Sequence, residues 1–192
     1  LADLGADVVK IEACKGAYER GWSGCNTYKN GVSVFYLMAN RNQRDLAIDL
    51  KSEEGRETIY TLIRDKGYDV IIENFRPGVM DKLGLGYEKL KEINPRVVYC
   101  SCTGYGSAGP KAKKPGQDLL LQGMSGLAAL TGPSDHPPMP AGTALVDQHG
   151  AILAALGIVS AVYDRDRTGI GHKVDASLLG SALDLQIEPL NY

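Results

Sequence analysis

The chain has 192 residues, 44% of them hydrophobic and 23% charged, and 21 Lys and Arg against 23 Asp and Glu give a formal net charge of -2. A chain of this length and composition buries a sizeable core without disulfides or a structural metal. The balanced charge provides no extended positive surface for a nucleic-acid backbone or an anionic membrane, so neither is an expected partner.

Several features favour a cytoplasmic location. The longest uncharged apolar stretch, from Gln148 to Tyr163, is shorter than the roughly 20 residues of a membrane span, and predicts a buried helix. No secretory signal pattern opens the chain. The four cysteines have no C-x-x-C spacing, which is typical of a reduced protein. Cys100 and Cys102 would share one face of a strand, but no His or acidic cluster accompanies them, so we interpret them as small core residues rather than as a metal or redox pair.

The predicted elements alternate along the chain. Apolar and β-branched runs predict strands at Asp7–Glu12, Leu46–Leu50, Asp69–Glu73, Val97–Cys102 and Lys173–Asp175. Helical spacing predicts helices from an N-cap at Ser52 to Gly67, through Tyr87 and Ile93, from Asp118 to Leu130, from Asp147 to Tyr163, and from Ala176 onward. This order predicts an α/β fold, a Rossmann-like parallel sheet with flanking helices and right-handed crossovers.

Ligands of open parallel sheets bind outside the carboxyl ends of the strands. Two predicted strands here end in loops rich in glycine and hydrogen-bond donors, Glu73–Gly78 and Thr103–Gly106. Neither loop contains a phosphate-binding G-x-x-x-x-G-K-[ST] or an intact G-x-G-x-x-G motif, which argues against a P-loop enzyme or a classical NAD enzyme. The following segment, through Gly116, contains too much Gly, Pro and Lys to pack in a core and is expected at the surface.

Asp147 is an acid between two apolar segments. A charged carboxylate in that setting is costly unless it is hydrogen-bonded or lies at a helix N-terminus. Two interpretations are open at this point: Asp147 caps the helix that follows it, or it is a partly desolvated nucleophile. His149 lies on another face of the same helix and does not form a compact pair with Asp147.

Five motifs occur in the order and approximate spacing of one known family. They are Leu4–Glu12, Asn40–Arg44 with Asp49–Lys51, Glu73–Gly78, Gly104–Gly106 with Gly109-Pro110, and Lys114–Asp118. Together they resemble the class III CoA-transferases, also called the carnitine dehydratase and bile-acid-inducible protein family, which includes formyl-CoA transferase. The resemblance covers essentially the whole chain.

The resemblance implies specific site residues. The nucleophilic aspartate of the family falls on Asp147. The family's contacts to coenzyme A fall on Ile48, Asp49, Leu50 and Lys51, on Asn74, Phe75 and Arg76, on Lys82, and on Pro115, Gly116, Gln117 and Asp118. Phe75 is suited to cover the adenine, and Lys51, Arg76 and Lys82 are suited to meet phosphates. Backbone amides near Gly104 are candidate donors to an oxyanion. No metal or redox cofactor is implied.

Two departures from the family pattern affect the expected activity. The arginine that usually follows the Lys-Ile-Glu strand is replaced by Ala13, Cys14 and Lys15, so Lys15 takes over its phosphate contact or that contact is absent. Gln117 stands where the racemases of the same superfamily have a catalytic histidine. Because one of the two proton-transfer groups of a racemase is then missing, CoA transfer is favoured over racemisation.

The expected activity is transfer of CoA from an acyl-CoA to a small carboxylic acid, through an aspartyl anhydride and an aspartyl-CoA thioester. The alternatives are a 2-methylacyl-CoA racemase or epimerase of the same fold, and a non-catalytic CoA-binding fragment. Family members are about twice this length and form interlocked homodimers. Since the chain starts at Leu1 without a methionine, we expect it to be the N-terminal part of the large CoA-binding domain, without the smaller second domain and the return segment.

Overall fold

The computed structural model describes residues 1–191, in two compact units. The first unit runs from Leu1 to Ile59, and the second begins at Tyr60. Helix α2 spans the division between them.

The first unit is built on a pair of parallel strands. Its elements are β1 (Val9–Glu12), β2 (Tyr28–Lys29), β3 (Val32–Ser33), α1 (Val34–Ala39), β4 (Arg44–Ala47) and the start of α2 (Glu53–Asp65), with short 3-10 helices at Ala2–Leu4, Tyr18–Gly21 and Gly24–Asn26. Strands β1 and β4 pair in parallel, with Val9 opposite Arg44, and β2 and β3 form an antiparallel hairpin.

A buried carboxylate ties the elements of the first unit together. Glu12, at the end of β1, is 6% exposed and pairs with Arg20 at 2.8 Å and Lys10 at 3.0 Å. The hydroxyl of Tyr36 on α1 donates to the same carboxylate. The hydrogen bond from Arg20 is the main reason that the pKa of Glu12 falls to about 2. Lys15, the sequence-predicted substitute for the missing arginine, is exposed.

The turn between β4 and α2 differs in part from its prediction. Strand β4 is Arg44–Ala47, so the predicted strand at Leu46–Leu50 was placed too far along the chain. The chain turns at Asp49, whose Oδ1 accepts a hydrogen bond from the Lys51 amide. The N-cap at Ser52 is confirmed, because its Oγ accepts from the Gly55 amide at 2.9 Å.

The second unit contains a three-stranded parallel sheet. Its elements, after the end of α2, are β5 (Val70–Glu73), α3 (Val79–Lys82), α4 (Tyr87–Ile93), β6 (Val98–Thr103), α5 (Asp118–Ser125), α6 (Leu145–Thr168), β7 (Lys173–Ser177) and α7 (Leu178–Asp184), with 3-10 helices at Leu127–Leu130 and Pro189–Asn191. The sheet order is β5-β6-β7. The predicted α/β fold with parallel strands and flanking helices is confirmed. Within the first unit β1 pairs with β4, and within the second unit β5, β6 and β7 form the parallel sheet.

The central strand β6 is buried along most of its length. Val98, Tyr99 and Cys100 are at most 3% exposed, as expected of a parallel strand that other elements cover. Helix α6 approaches this sheet closely at Gly157, where an added Cβ would lie 2.7 Å from Cγ1 of Val174. Any larger residue at that position would separate the helix from the sheet.

Helix α6 has one buried face and one exposed apolar face. Ala154 and Ile158 are buried, whereas Ile152, Leu156 and Tyr163 are each more than 60% exposed. The predicted buried helix is therefore right for one face only. The length and apolar composition of α6 would also suffice to cross a membrane, but a single helix of this kind is weak support for a span, since core helices meet the same criteria.

Candidate active site

Asp147 lies in the first turn of α6. The helix begins at Leu145 and Ala144 occupies the N-cap position, so Asp147 is its third residue and its side chain makes no capping hydrogen bond. The capping interpretation of Asp147 is therefore wrong. Its carboxylate is exposed and accepts no hydrogen bond from any residue between 1 and 191. It is thus open to an incoming group.

The residue that caps α6 is Asp118, at the start of α5. Its Oδ1 accepts hydrogen bonds from the amides of Val146 at 2.8 Å and Asp147 at 3.1 Å. Its Oδ2 accepts from Nε2 of Gln122 at 2.6 Å. Asp118 is only 9% exposed, and a buried negative charge at this position is stabilised by the positive end of the α6 dipole.

Two further buried polar side chains hold the segment around Asp147. Gln122 accepts a hydrogen bond from the Ala141 amide at 2.8 Å, and Ser181 on α7 donates to the carbonyl of Val146 at 2.8 Å. Both side chains are 1% exposed. Sequence reasoning missed both. The spacing of Asp118 and Gln122, four residues apart at the start of an apolar helix, was the signal that could have indicated the role of Gln122.

The amides of the first turn of α6 are all engaged. Asp118 accepts from Val146 and Asp147, the Leu145 amide donates to Thr143 at 2.8 Å, and the Gln148 amide donates to Ala144 at 3.0 Å. This turn therefore supplies a carboxylate but no unused backbone donor to an oxyanion. Any oxyanion donor must come from another part of the protein.

The surroundings of Asp147 make its carboxylate more basic than an ordinary aspartate. Loss of hydration is the larger reason that its pKa is raised, and the negative charge of Asp118 is the second. An ionised carboxylate with a raised pKa is a stronger nucleophile than an ordinary one.

Two loops that the sequence singled out meet at a pair of glycines. A Cβ added to Gly116 would lie 2.3 Å from the Cα of Gly104, and a Cβ added to Gly104 would lie 2.5 Å from the Cα of Gly116. Because the two backbones touch, neither position accommodates a side chain. The Leu179 amide of α7 also donates to the carbonyl of Gly104. The end of β6 and the start of α5, which carries Asp118, are thereby fixed to each other.

The amide of Gly106, one of the candidate oxyanion donors, is engaged. It donates to Oγ1 of Thr103 at 2.9 Å. Gly106 has a φ of 86°, so this tight turn at the end of β6 requires glycine.

The predicted CoA residues after β5 lie at the surface. Asn74, Phe75 and Arg76 are exposed, and the Phe75 amide donates to the Glu73 carboxylate at 2.8 Å. Arg76 lines a cavity of about 290 Å³ together with Tyr99 and nearby residues of the sheet edge. Asp147 is not among the residues that line it. Arg76 therefore lies at a surface concavity, and its contact with a phosphate stays a prediction.

Lys82 ends α3 and is exposed. Within residues 1–191, neither Lys82 nor Arg76 forms a salt bridge. Two cations without an acidic partner are available to an anionic ligand.

The remaining predicted CoA contacts fall into two groups. Ile48, Asp49, Leu50 and Lys51 form the turn before α2 in the first unit, where Ile48 is buried. Pro115, Gly116 and Gln117 are exposed in the second unit, whereas both carboxylate oxygens of Asp118 are already hydrogen-bonded inside the protein. CoA contact by these residues stays a prediction.

The other polar residues of interest are accounted for within the second unit. His149 hydrogen-bonds to Asp184 on α7 at 2.7 Å. Cys100 is buried, as expected of a core residue, whereas Cys102 is only partly buried, and their Sγ atoms lie 3.7 Å apart. Residues 1–191 contain no group of three or more His, Cys, Asp or Glu arranged to hold a metal.

A protein-family model described as CoA-transferase family III matches residues 1–192. The chain belongs to this family. The acetyl-CoA:oxalate CoA-transferase of Acetobacter aceti is 40% identical over 184 residues, which cover 95% of this chain and 46% of that protein. The succinyl-CoA:glutarate CoA-transferase of Homo sapiens is 36% identical over 182 residues, which cover 94% of this chain and 41% of that protein.

A solved structure is similar over nearly the whole chain. The crystal structure of a CAIB/BAIF family protein from Brucella suis matches with a TM-score of 0.92 and 39% sequence identity. The match covers 99% of this chain and 50% of that one. The chain thus spans about half the length of the family III relatives it matches.

Replacing Gly116 by Ala should destabilise the junction of the two loops, because the new methyl group would overlap the backbone of Gly104. We expect the free energy of unfolding to fall by about 1–3 kcal/mol, measured by urea unfolding followed by circular dichroism. Gly123, inside α5, has open space where a Cβ would be added. The control Gly123→Ala should stabilise the helix by up to about 1 kcal/mol. Equal effects of the two substitutions would contradict the importance of the Gly104–Gly116 contact.

Proposed function

We propose that the protein containing this chain transfers CoA from an acyl-CoA to a small carboxylic acid, with Asp147 as the nucleophile. The observation that carries the proposal is the Asp147 carboxylate, which is exposed in the capped first turn of α6 and has no hydrogen-bond partner among residues 1–191. Membership of CoA-transferase family III supports it. Relatives named for transfer to oxalate or glutarate support a small carboxylate as the acceptor.

The chemistry that a free carboxylate performs here is nucleophilic. An oxygen of Asp147 attacks the thioester carbonyl of the donor, the carbon–sulfur bond breaks, and CoA leaves as a thiolate with a mixed anhydride left on the enzyme. The thiolate then attacks the aspartyl carbonyl of that anhydride, which releases the donor carboxylate and leaves an aspartyl-CoA thioester.

The acceptor completes the reaction by the same two steps in reverse order. Its carboxylate attacks the aspartyl-CoA thioester, and a second anhydride forms as the CoA thiolate leaves. The thiolate attacks the acceptor half of that anhydride, which gives the new acyl-CoA and returns Asp147 to its starting form. Each step exchanges one leaving group for one nucleophile, so no redox change is involved.

The identity of residue 117 favours this chemistry over racemisation. A racemase needs two groups that remove and return a proton at the α-carbon. The exposed Gln117 is not such a group. A non-catalytic CoA-binding role agrees with a chain of half the relatives' length. Exchange of deuterium at the α-carbon of an acyl-CoA would support a racemase, and CoA binding without exchange or transfer would support a binding role.

We also propose that the protein acts as a homodimer. The exposed apolar residues along one face of α6, such as Ile152, Leu156 and Tyr163, are suited to contact with a second copy or with a further part of the protein. The interlocked arrangement and the cytoplasmic location stay predictions from the sequence.

Incubating the intact protein with donor acyl-CoA and hydroxylamine should convert Asp147 to a hydroxamate, because hydroxylamine attacks the anhydride and the thioester. Peptide mass spectrometry identifies the modified residue. Asp147→Asn should lose both the modification and CoA transfer. Asp184→Asn, which changes a nearby exposed carboxylate that pairs with His149, should retain both. Hydroxamate at another acid, or a fully active Asp147→Asn, would overturn the assignment.

Replacing Arg76 or Lys82 by Ala should weaken CoA binding, because each removes a cation suited to a phosphate. A charge-assisted hydrogen bond contributes about 1.5–3 kcal/mol, so the dissociation constant should rise roughly tenfold or more, as measured by isothermal titration calorimetry. Lys89, which pairs with Glu92 at 2.9 Å, provides a matched control, and Lys89→Ala should bind CoA normally. If neither substitution raises the dissociation constant of CoA by even about threefold, the phosphates bind elsewhere.

A further inference from the structure

Asp118 is a buried acid that pairs with no cation in the described part of the chain, residues 1–191. Its three hydrogen-bond donors are the amides of Val146 and Asp147 and the side chain of Gln122, and all three are neutral. Burying a carboxylate without a positive partner is costly, and the hydrogen bonds together with the N-terminus of α6 offset that cost. An Asn or Ser would cap the helix without this cost. Capping alone therefore does not require the negative charge of Asp118.

We propose that Asp118 is a positioning residue for Asp147 and that its negative charge makes the Asp147 carboxylate a stronger nucleophile. This inference rests on the proposed function, in which Asp147 is acylated. In this role Asp118 acts through Asp147, whose amide it binds.

Hydrogen bonds from α5 and α7 hold the backbone around Asp147. Asp118 binds the amide of the nucleophilic residue itself and that of the residue before it. The Ser181 hydroxyl, on α7, donates to the carbonyl of Val146. The side chain of Gln122 accepts from the amide of Ala141, in the loop before α6. The backbone of Asp147 is thus fixed from two neighbouring helices, which limits the positions that its carboxylate can adopt.

Few charged groups lie on the helices that neighbour the first turn of α6. On α5 the charged residue is Asp118, and on α7 it is Asp184, which His149 of α6 faces and pairs with. The lysines of the loop before α5 are exposed, at positions 111, 113 and 114. Of all these groups, Asp118 is the one whose charge raises the pKa of Asp147. Two carboxylates at one helix terminus repel each other while both are ionised.

Acylation relieves this repulsion. When an Asp147 oxygen bonds to the acyl carbon, the carbon–sulfur bond breaks and the negative charge leaves on the CoA thiolate. The aspartyl group becomes neutral, so the repulsion from Asp118 is present in the free enzyme and decreases along the reaction. An interaction of this kind accelerates the chemical step, because it destabilises the starting state more than the transition state.

The test is the pH dependence of acylation in the Asp118→Asn variant of the intact protein, with acyl-CoA and hydroxylamine as probes. Asn keeps an oxygen that accepts from the α6 amides but removes the charge. The pKa of Asp147 should fall, so the acidic limb of the pH–rate profile should move to lower pH. Above that limb the rate of hydroxamate formation should fall about three- to tenfold, as a less basic nucleophile reacts more slowly.

Two matched variants distinguish the effect of the Asp118 charge from the effect of the hydrogen bonds that hold the turn. Ser181→Ala removes a neutral anchor of the same turn and should lower the rate without moving the acidic limb. Asp184→Asn removes a charge near α6 that is already paired with His149 and should change neither. An unshifted limb in Asp118→Asn, or an equal shift in Ser181→Ala, overturns the inference about Asp118. Absence of acylation of Asp147 in the unaltered protein overturns the proposed function instead.

A measurement on the unaltered protein covers the case in which Asp118→Asn does not fold. Carbon-13 NMR of the aspartate carboxylates follows the titration of Asp147, whose pKa should lie above that of an ordinary aspartate. A pKa of Asp147 at or below the ordinary value would overturn the inference.

Discussion

The site depends on one interaction, the buried Asp118 carboxylate at the N-terminus of α6. It satisfies two amides that the helix leaves without intrahelical partners, and it does so from α5, so the two helices are joined at the turn that carries Asp147. Because Asp118 performs the capping, the side chain of Asp147 is released from that task. An acid at the start of a helix usually serves the helix, whereas this one is available for chemistry.

The loops around this turn are held by close contact of backbones. Gly104 follows β6 and Gly116 precedes α5, and their contact fixes the start of α5 against the end of the central strand. Strand β6 is buried in the sheet. Asp147 is thereby connected to the core through Gly104, Gly116 and Asp118.

The sequence predicted the alternation of strands and helices because buried strands such as β6 and the Ser52 cap have strong local patterns. It misplaced β4, since the apolar run at Leu46–Leu50 continues into a turn that Asp49 forms through its own side chain. It singled out Asp147 and left two roles open, helix capping and nucleophile. The capping role was wrong, because the Asp147 side chain makes no capping hydrogen bond. The spacing of Asp118 and Gln122 was a local signal for their mutual hydrogen bond. The bonds of Gln122 to Ala141 and of Ser181 to Val146 join segments far apart in the chain, so no local pattern predicts them.

The most direct test of the account follows oxygen from acceptor to enzyme. If the intact protein turns over with an acceptor carboxylate labelled with oxygen-18, the acceptor oxygen that bridges the second anhydride stays on Asp147 when CoA attacks the acceptor carbon. After turnover, peptide mass spectrometry should find oxygen-18 in the carboxylate of Asp147 and in no other acid. Active turnover that leaves Asp147 unlabelled would contradict the account, because CoA would then pass between acyl groups without bonding of the acceptor to this residue.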